Sequence, residues 1–192
     1  MNSNDKVFIA KCTTYSSELV QKSVERCIDA FGGMDTILNA TGKRVLVKPN
    51  LIKAARVEEA ATTNPAVVRA VCLMLKKSGA EITIYDSPAV GHTRAHLELL
   101  YRQTGMTAIA EEVGATLCTE PVSHSVDYNG RKLTISGAVI SSDLIINIPK
   151  MKTHSFVGMT GAVKNLFGAV PGLAKSQSHA MNVDVNSFAC LI

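Results

Sequence analysis

Three short runs in this chain stop in the same way. VLVKPN, ITIYDSP and LIINIPKMK are each rich in β-branched and other apolar residues, and each breaks at a proline with polar residues beside it. Runs that are apolar on both sides suit strands covered on both faces, as in a parallel sheet. Proline ends such a strand because it lacks the donor the next ladder bond would need.

Helical patterns fill the gaps. Leu19, Val20, Val24, Cys27, Ile28 and Phe31 form one stripe of a helix that starts at Ser16 or Ser17 and stops at Gly32-Gly33. Thr63 or Asn64 caps a second helix, PAVVRAVCLMLKK, with Pro65 in its first turn. Further helices are predicted around 96–103, 108–113 and 160–168, and one begins near Val185 or Asn186. Val7 to Ala10 reads as a short first strand. In VDYNGRKLTI, Asn129-Gly130 favours a tight hairpin turn. The alternation predicts an α/β fold: a mainly parallel open sheet with helices on both faces, plus a β-hairpin at about 122–136.

With 192 residues, 46 % hydrophobic and 19 % charged, the chain has the size and composition of a single folded domain over 1–192. Its C-terminal FACLI carries no stop signal, so the domain is expected to continue in a longer protein. A formal charge of +4, 5 % aromatics and no Trp argue against nucleic acid as a partner. The start, MNSNDKVFIAKC, is not a secretory signal, and no run reaches the ~18 apolar residues of a membrane span. A cytoplasmic protein is expected. Cys12, Cys27, Cys72, Cys118 and Cys190 form no CxxC pair and are expected to be buried free thiols.

In an open parallel sheet, ligands bind beyond the carboxyl ends of the strands. Lys48, Asn50, Asp86, Ser87, Lys150 and Lys152 would gather there. The stretch 150–179 adds four lysines and two histidines, and no acid occurs between Asp143 and Asp184. In the helix at 160–168, Val163, Leu166, Phe167 and Val170 have core-facing spacing, while Gly161, Lys164, Asn165 and Gly168 share another face. Two glycines there cost about 1 kcal/mol each against Ala, unless something must approach the backbone. Lys164 near the helix start opposes the dipole by ~0.3–1 kcal/mol. A phosphate or carboxylate bound at the helix start would relieve both conflicts.

GMTGAVKN does not fit the Walker spacing, and no GxSxG elbow occurs. His154 lies ten residues before Lys164 and His179 fifteen after it, so either is a candidate general base or metal ligand. A metal would need a third ligand, such as Asp86, His92 or His96, and no metal site is assigned.

VLVKPNL, TTNPAVVRAVCLMLKKSGA, IYDSP and DLIINIPKMKTHSFVGMTGAVKNLFGAVPG, with a later Lys and His, resemble domain-of-unknown-function family 362. The resemblance runs from about Val45 to His179, and PKMKTH…TGAVKNLFG is its most specific part. Members are bacterial and archaeal, and many carry a ferredoxin-like module with two [4Fe-4S] clusters after this domain. The closely spaced cysteines of that module are absent here, so no cluster is assigned to any residue of this chain.

A fainter similarity, of spacing, is to the N-terminal part of the nickel-pincer lactate racemases, where a His, a Lys and a later His line the site. It implies catalytic roles for His154, Lys164 and His179, with a carboxylate substrate or anionic cofactor. The strand ends and the acid-free stretch point to a small anionic ligand, bound by Lys48, Asn50, Asp86, Ser87, Lys150, Lys152, Gly161 and Asn165, and the family resemblance implies a place for it within an iron–sulfur-associated redox or proton-transfer enzyme. The alternative is a non-catalytic module that docks an acidic protein or electron carrier through the same cations. The residues themselves leave catalysis open.

Overall fold

The run RVLVKP lies at the centre of a sheet. In a computed structural model, which describes residues 6–88, 91–120, 122–128, 130–155, 157–181 and 184–189 (leaving aside the side chains of Arg131, Leu173, His179, Ala180, Met181 and Val185), it forms β1, Arg44–Pro49. Ahead of it come α1, Ser17–Asp29, and α2, Met34–Thr41. After it follow α3, Pro65–Lys77; β2, Glu81–Ile84; α4, Arg94–Gln103; α5, Met106–Val113; and β3, Thr116–Leu117. The hairpin comprises β4, Ser123–Tyr128, and β5, Arg131–Ser136. Next are α6, Gly137–Ile140; β6, Leu144–Ile148; β7, Lys152–His154; and β8, Gly158–Thr160. The chain closes with α7, Ala162–Leu166; α8, Gly172–Met181; and α9, Val185–Ala189.

The main sheet has the order β3-β2-β1-β6, and every pair in it is parallel. Val45, Leu46, Val47 and Lys48 are at most 1 % exposed, as a central strand covered on both faces requires. Val45 and Val47 join a core with α2, α3, α4 and α5. By the period-two alternation of a strand, Leu46 and Lys48 point to the other face, where the 3₁₀ turn Phe167–Ala169 covers Lys48. The chain moves outward from β1 to β2 and β3, then returns past β1 to β6. The order therefore reverses between β1 and β6, and a crevice is expected at their carboxyl ends.

Local chemistry accounts for the element ends. Asn64 Oδ1 accepts the Ala66 N–H at 2.9 Å and Pro65 opens α3. In the hairpin, Asp127 Oδ1 accepts the Gly130 N–H at 3.0 Å, and Gly130 has φ of +77°. Its predicted partner in the turn, Asn129, lies outside the described residues.

Several expectations are corrected. Val7 to Ala10 pairs with no described strand, and Val7 and Ile9 are more than four-fifths exposed; strand propensity alone does not supply a neighbouring ladder. In α1, Val20 is buried, but Leu19 and Phe31 are exposed, Phe31 lying beyond the helix end. Val163 and Leu166 were expected inside and are exposed, while Asn165 and Gly168 are buried. A five-residue helix is too short for its apolar stripe to set its orientation. Of the cysteines, Cys72 is buried, Cys27 and Cys118 are half-buried and Cys12 is exposed; all four are free thiols, and Cys190 lies outside the described residues. Helices α2 and α8, strand β3 and the β7–β8 hairpin were not anticipated.

Candidate anion-binding site

Beneath the crevice lies a buried ion pair. Lys48 Nζ donates to Asp86 Oδ1 at 2.5 Å, and Asp86 Oδ2 accepts the Leu51 N–H at 2.7 Å. Gly168 sits against this pair: a Cβ there would run into Asp86 Oδ1 and Lys48 Nζ. The Ser87 N–H donates to the Gly168 carbonyl at 3.3 Å, which fixes the turn over the strand ends. The close approach that glycine allows is thus toward the ion pair.

A polar network joins this layer to α7. Asn165 is 3 % exposed. Its amide donates to Asn147 Oδ1 at 2.7 Å and, at longer range, to the carbonyls of Lys48 and Pro49. Its Oδ1 accepts from Asn50 Nδ2 at 2.9 Å. Asn50 Oδ1 in turn accepts from Lys152 Nζ at 2.8 Å, and Lys152 also donates to the Ala61 carbonyl at 2.7 Å. A buried amide in this position needs partners on all sides, and β1, Asn50 just after it and β6 supply them.

Over the network opens a cavity of about 400 Å³, lined by Asn50, Asp86, Ser87, Lys152, His154, Thr160, Lys164, Asn165, Gly168, Lys175 and Ser176 among others. Among the described lining residues Asp86 is the one carboxylate, and Lys48 already neutralises it. Lys152, Lys164 and Lys175 thus face the cavity with no second acid in its wall. Burial and then the Lys152 charge hold the Lys164 ammonium below the usual lysine range. Burial also lowers Lys152, where Asp86 opposes it and Lys150 adds to it. Lys175 comes down to about 8, chiefly by burial, with Lys48 and Lys164 adding to the shift and Asp86 opposing it. Thr160 Oγ1 is buried at the same wall with no hydrogen-bond partner among the described residues. A buried hydroxyl left unpaired costs about 1–3 kcal/mol, so a ligand atom that meets it is favoured.

The chain matches the model of the family described as "Domain of unknown function (DUF362)" over residues 45–192. This chain belongs to the DUF362 family. It is also 33 % identical over 187 residues to the thylakoid-associated protein sll1697 of Synechocystis sp., covering 95 % of this chain and 56 % of that protein. The chain therefore spans little more than half the length of that relative. No solved structure matches it. No described helix is long and apolar enough to cross a membrane.

In this DUF362 chain the sequence-predicted residues separate into three groups. Asn50, Asp86, Ser87, Lys152, His154, Lys164 and Asn165 line the cavity. Lys48, Lys150 and Gly161 are not among the lining residues. Lys48 is fully buried in the ion pair, Lys150 Nζ lies 6.0 Å over the Tyr15 ring, and a Cβ at Gly161 would meet nothing closer than Met159 at 4.0 Å. His179 stands on α8, and its side chain lies outside the described residues. Lys175, Thr160 and Ser176 were missed. The count of four lysines in an acid-free stretch includes Lys175, so a signal for it existed.

Two further details refine the chemistry. With five residues, α7 has too few aligned peptides to supply the helix-start field expected from the sequence, so the positive character comes from side chains. His154 Nδ1 accepts the Val157 N–H at 3.3 Å, which leaves the neutral ring's proton on Nε2. Burial, then Lys164 and Lys152, lower its pKa, so it is a neutral donor near pH 7 rather than a ready base. No group of three or more His, Cys, Asp or Glu suited to a metal ion occurs among the described residues.

Proposed function

We propose that this domain binds a small anion, a carboxylate or phosphate, in the cavity beyond β1 and β6. The observation that carries this reading is the arrangement of Lys152, Lys164 and Lys175 around a cavity whose one described carboxylate is already paired with Lys48. An anion there restores the preference of each lysine for its charged form and meets the unpaired Thr160 hydroxyl. Asn50 and Asn165 act as positioning residues that hold Lys152 and the backbone of β1. His154 serves as a hydrogen-bond donor to the ligand through Nε2–H, and Lys164 is the group that exchanges a proton with it.

Several cations in a concave wall suit a small molecule better than an acidic protein surface, which would need them on an open face. In the full-length protein we place this site in iron–sulfur-associated redox or proton-transfer chemistry, with the clusters outside this chain. The relative's name links that protein to a thylakoid; a cytoplasmic protein that meets a membrane only at its surface fits both that link and this chain's helices.

Thermal unfolding with added sodium phosphate or sodium succinate, against sodium chloride of equal ionic strength, tests the reading. Ligand at about 100 times Kd stabilises by ~2.7 kcal/mol, or roughly 5–10 °C in Tm. The rise is expected with phosphate or succinate and is lost in the Lys152→Met/Lys164→Met variant. Equal melting in all three salts, or a rise that survives the double variant, overturns it.

A further inference from the structure

Lys175 is 8 % exposed, yet none of the ion pairs among the described residues includes it. Its Nζ donates to the carbonyl oxygens of Ser87 at 2.6 Å and Pro88 at 3.4 Å, and lies 5.9 Å over the Phe167 ring. These are dipoles and a ring face. The charged groups that act on it are Asp86, already held by Lys48, and the like charges of Lys48 and Lys164. A buried ammonium without a carboxylate is costly to keep for packing alone. The same surroundings favour the neutral amine, the nucleophilic form, and a lysine desolvated beside other cations is a recurring route to an activated amine.

The cavity supplies what such an amine would need. Lys152 and Lys164 lie in the same wall and can hold an acid group, while the Thr160 and Ser176 hydroxyls lie beside it.

We propose that Lys175 forms a Schiff base with a small ligand carrying a ketone or aldehyde together with a carboxylate or phosphate group. This rests on the anion-site reading, because Lys152 and Lys164 orient the carbonyl by its acid group. In the step, the Nζ lone pair adds to the carbonyl carbon and the C=O π pair moves onto oxygen. That oxygen takes up the two protons lost from nitrogen and departs as water, leaving the C=N bond. One carbonyl and one amine give one imine and one water, with no oxidant or reductant consumed.

The test uses the full chain with sodium cyanoborohydride and one of three carbonyl probes: pyruvate, dihydroxyacetone phosphate or acetone. Intact mass and peptide mapping then locate any reduced adduct. The expected result is one dominant adduct at Lys175 with pyruvate or dihydroxyacetone phosphate, at least tenfold less with acetone, and loss of the adduct in Lys175→Arg. Labelling should rise from pH 6.5 to 8.5 as the amine is deprotonated. Adducts spread over exposed lysines such as Lys22 and Lys53, or an unchanged pattern in Lys175→Arg, overturn the proposal, and the wild-type map decides even if the variant fails to fold. A phosphate titration in parallel separates the two readings: phosphate binding without a Lys175 adduct sinks this inference alone, and neither binding nor adduct sinks both.

Discussion

Lys48 Nζ sits 2.5 Å from Asp86 Oδ1, with both side chains at most 4 % exposed. The pair forms the floor of the site rather than its wall. It removes from the cavity the one described carboxylate that would otherwise compete with an anionic ligand. Removing one member of such a pair strands a buried charge. Lys48→Met is therefore expected to destabilise the domain by about 3–5 kcal/mol in urea unfolding. A loss below about 1 kcal/mol would show that the pair is not held in a dry site.

Gly168→Ala addresses the same floor from above. The added methyl has no room between Asp86 and Lys48, both anchored by their own bonds. Overpacking of this kind costs about 1–3 kcal/mol. Gly161→Ala, at the N-cap position ahead of α7 with open space around it, should be close to neutral, costing no more than about 1 kcal/mol. Equal effects at the two glycines in chemical denaturation would contradict the assignment of close approach to Gly168.

Lys164 is half-buried, with Nζ 5.1 Å from the Phe167 and Phe188 ring centroids. Lys164→Ala should weaken phosphate or succinate binding about tenfold or more, the loss of one charge-assisted hydrogen bond at ~1.5–3 kcal/mol. Calorimetric titration reads the affinity, and circular dichroism checks that the fold is kept. Unfolding, with no change in affinity per folded molecule, would assign Lys164 to packing.

The strands were legible because their apolar runs are bounded on both sides by charge, glycine or proline, and because β1, buried on both faces, leaves a continuous signature at Val45–Val47, while the half-buried edge strand β6 is apolar apart from Asn147. The rim of the site followed from those strand ends. The orientation of α7 did not. Asn165, polar and predicted to face away from the core, is buried because three partners at the ends of β1 and β6 satisfy its amide, a tertiary fact with no periodicity. KTH and GMT pair as β7 and β8 without any alternation of apolar and polar residues. Lys175 sits in AKSQSH, a polar run with no apolar stripe to mark a buried face; its Nζ meets the Ser87 and Pro88 carbonyls, 88 and 87 residues earlier in the chain.

Lys175 also predicts a pH dependence of stability. Its folded pKa, about 8, lies below its ordinary value of 10.5. Between these values the unfolded chain binds more protons than the folded one, so this group makes stability rise with pH from about 8 to 10.5. Below 8 it contributes no slope. Urea unfolding of the native protein at intervals between pH 7.5 and 10, compared with Lys175→Met, isolates the effect, and the variant should lack that upward component. Parallel curves for the two proteins would contradict the placement of Lys175 in a dry wall.

The most direct measurement is an amide chemical-shift titration of the ¹⁵N-labelled chain with inorganic phosphate at constant ionic strength. The account predicts saturable shifts concentrated at Asn50, Ser87, Thr160, Gly168 and Ser176, with the β4–β5 hairpin unchanged. Shifts that fail to saturate, or that fall on exposed lysines remote from the ends of β1 and β6, would contradict it.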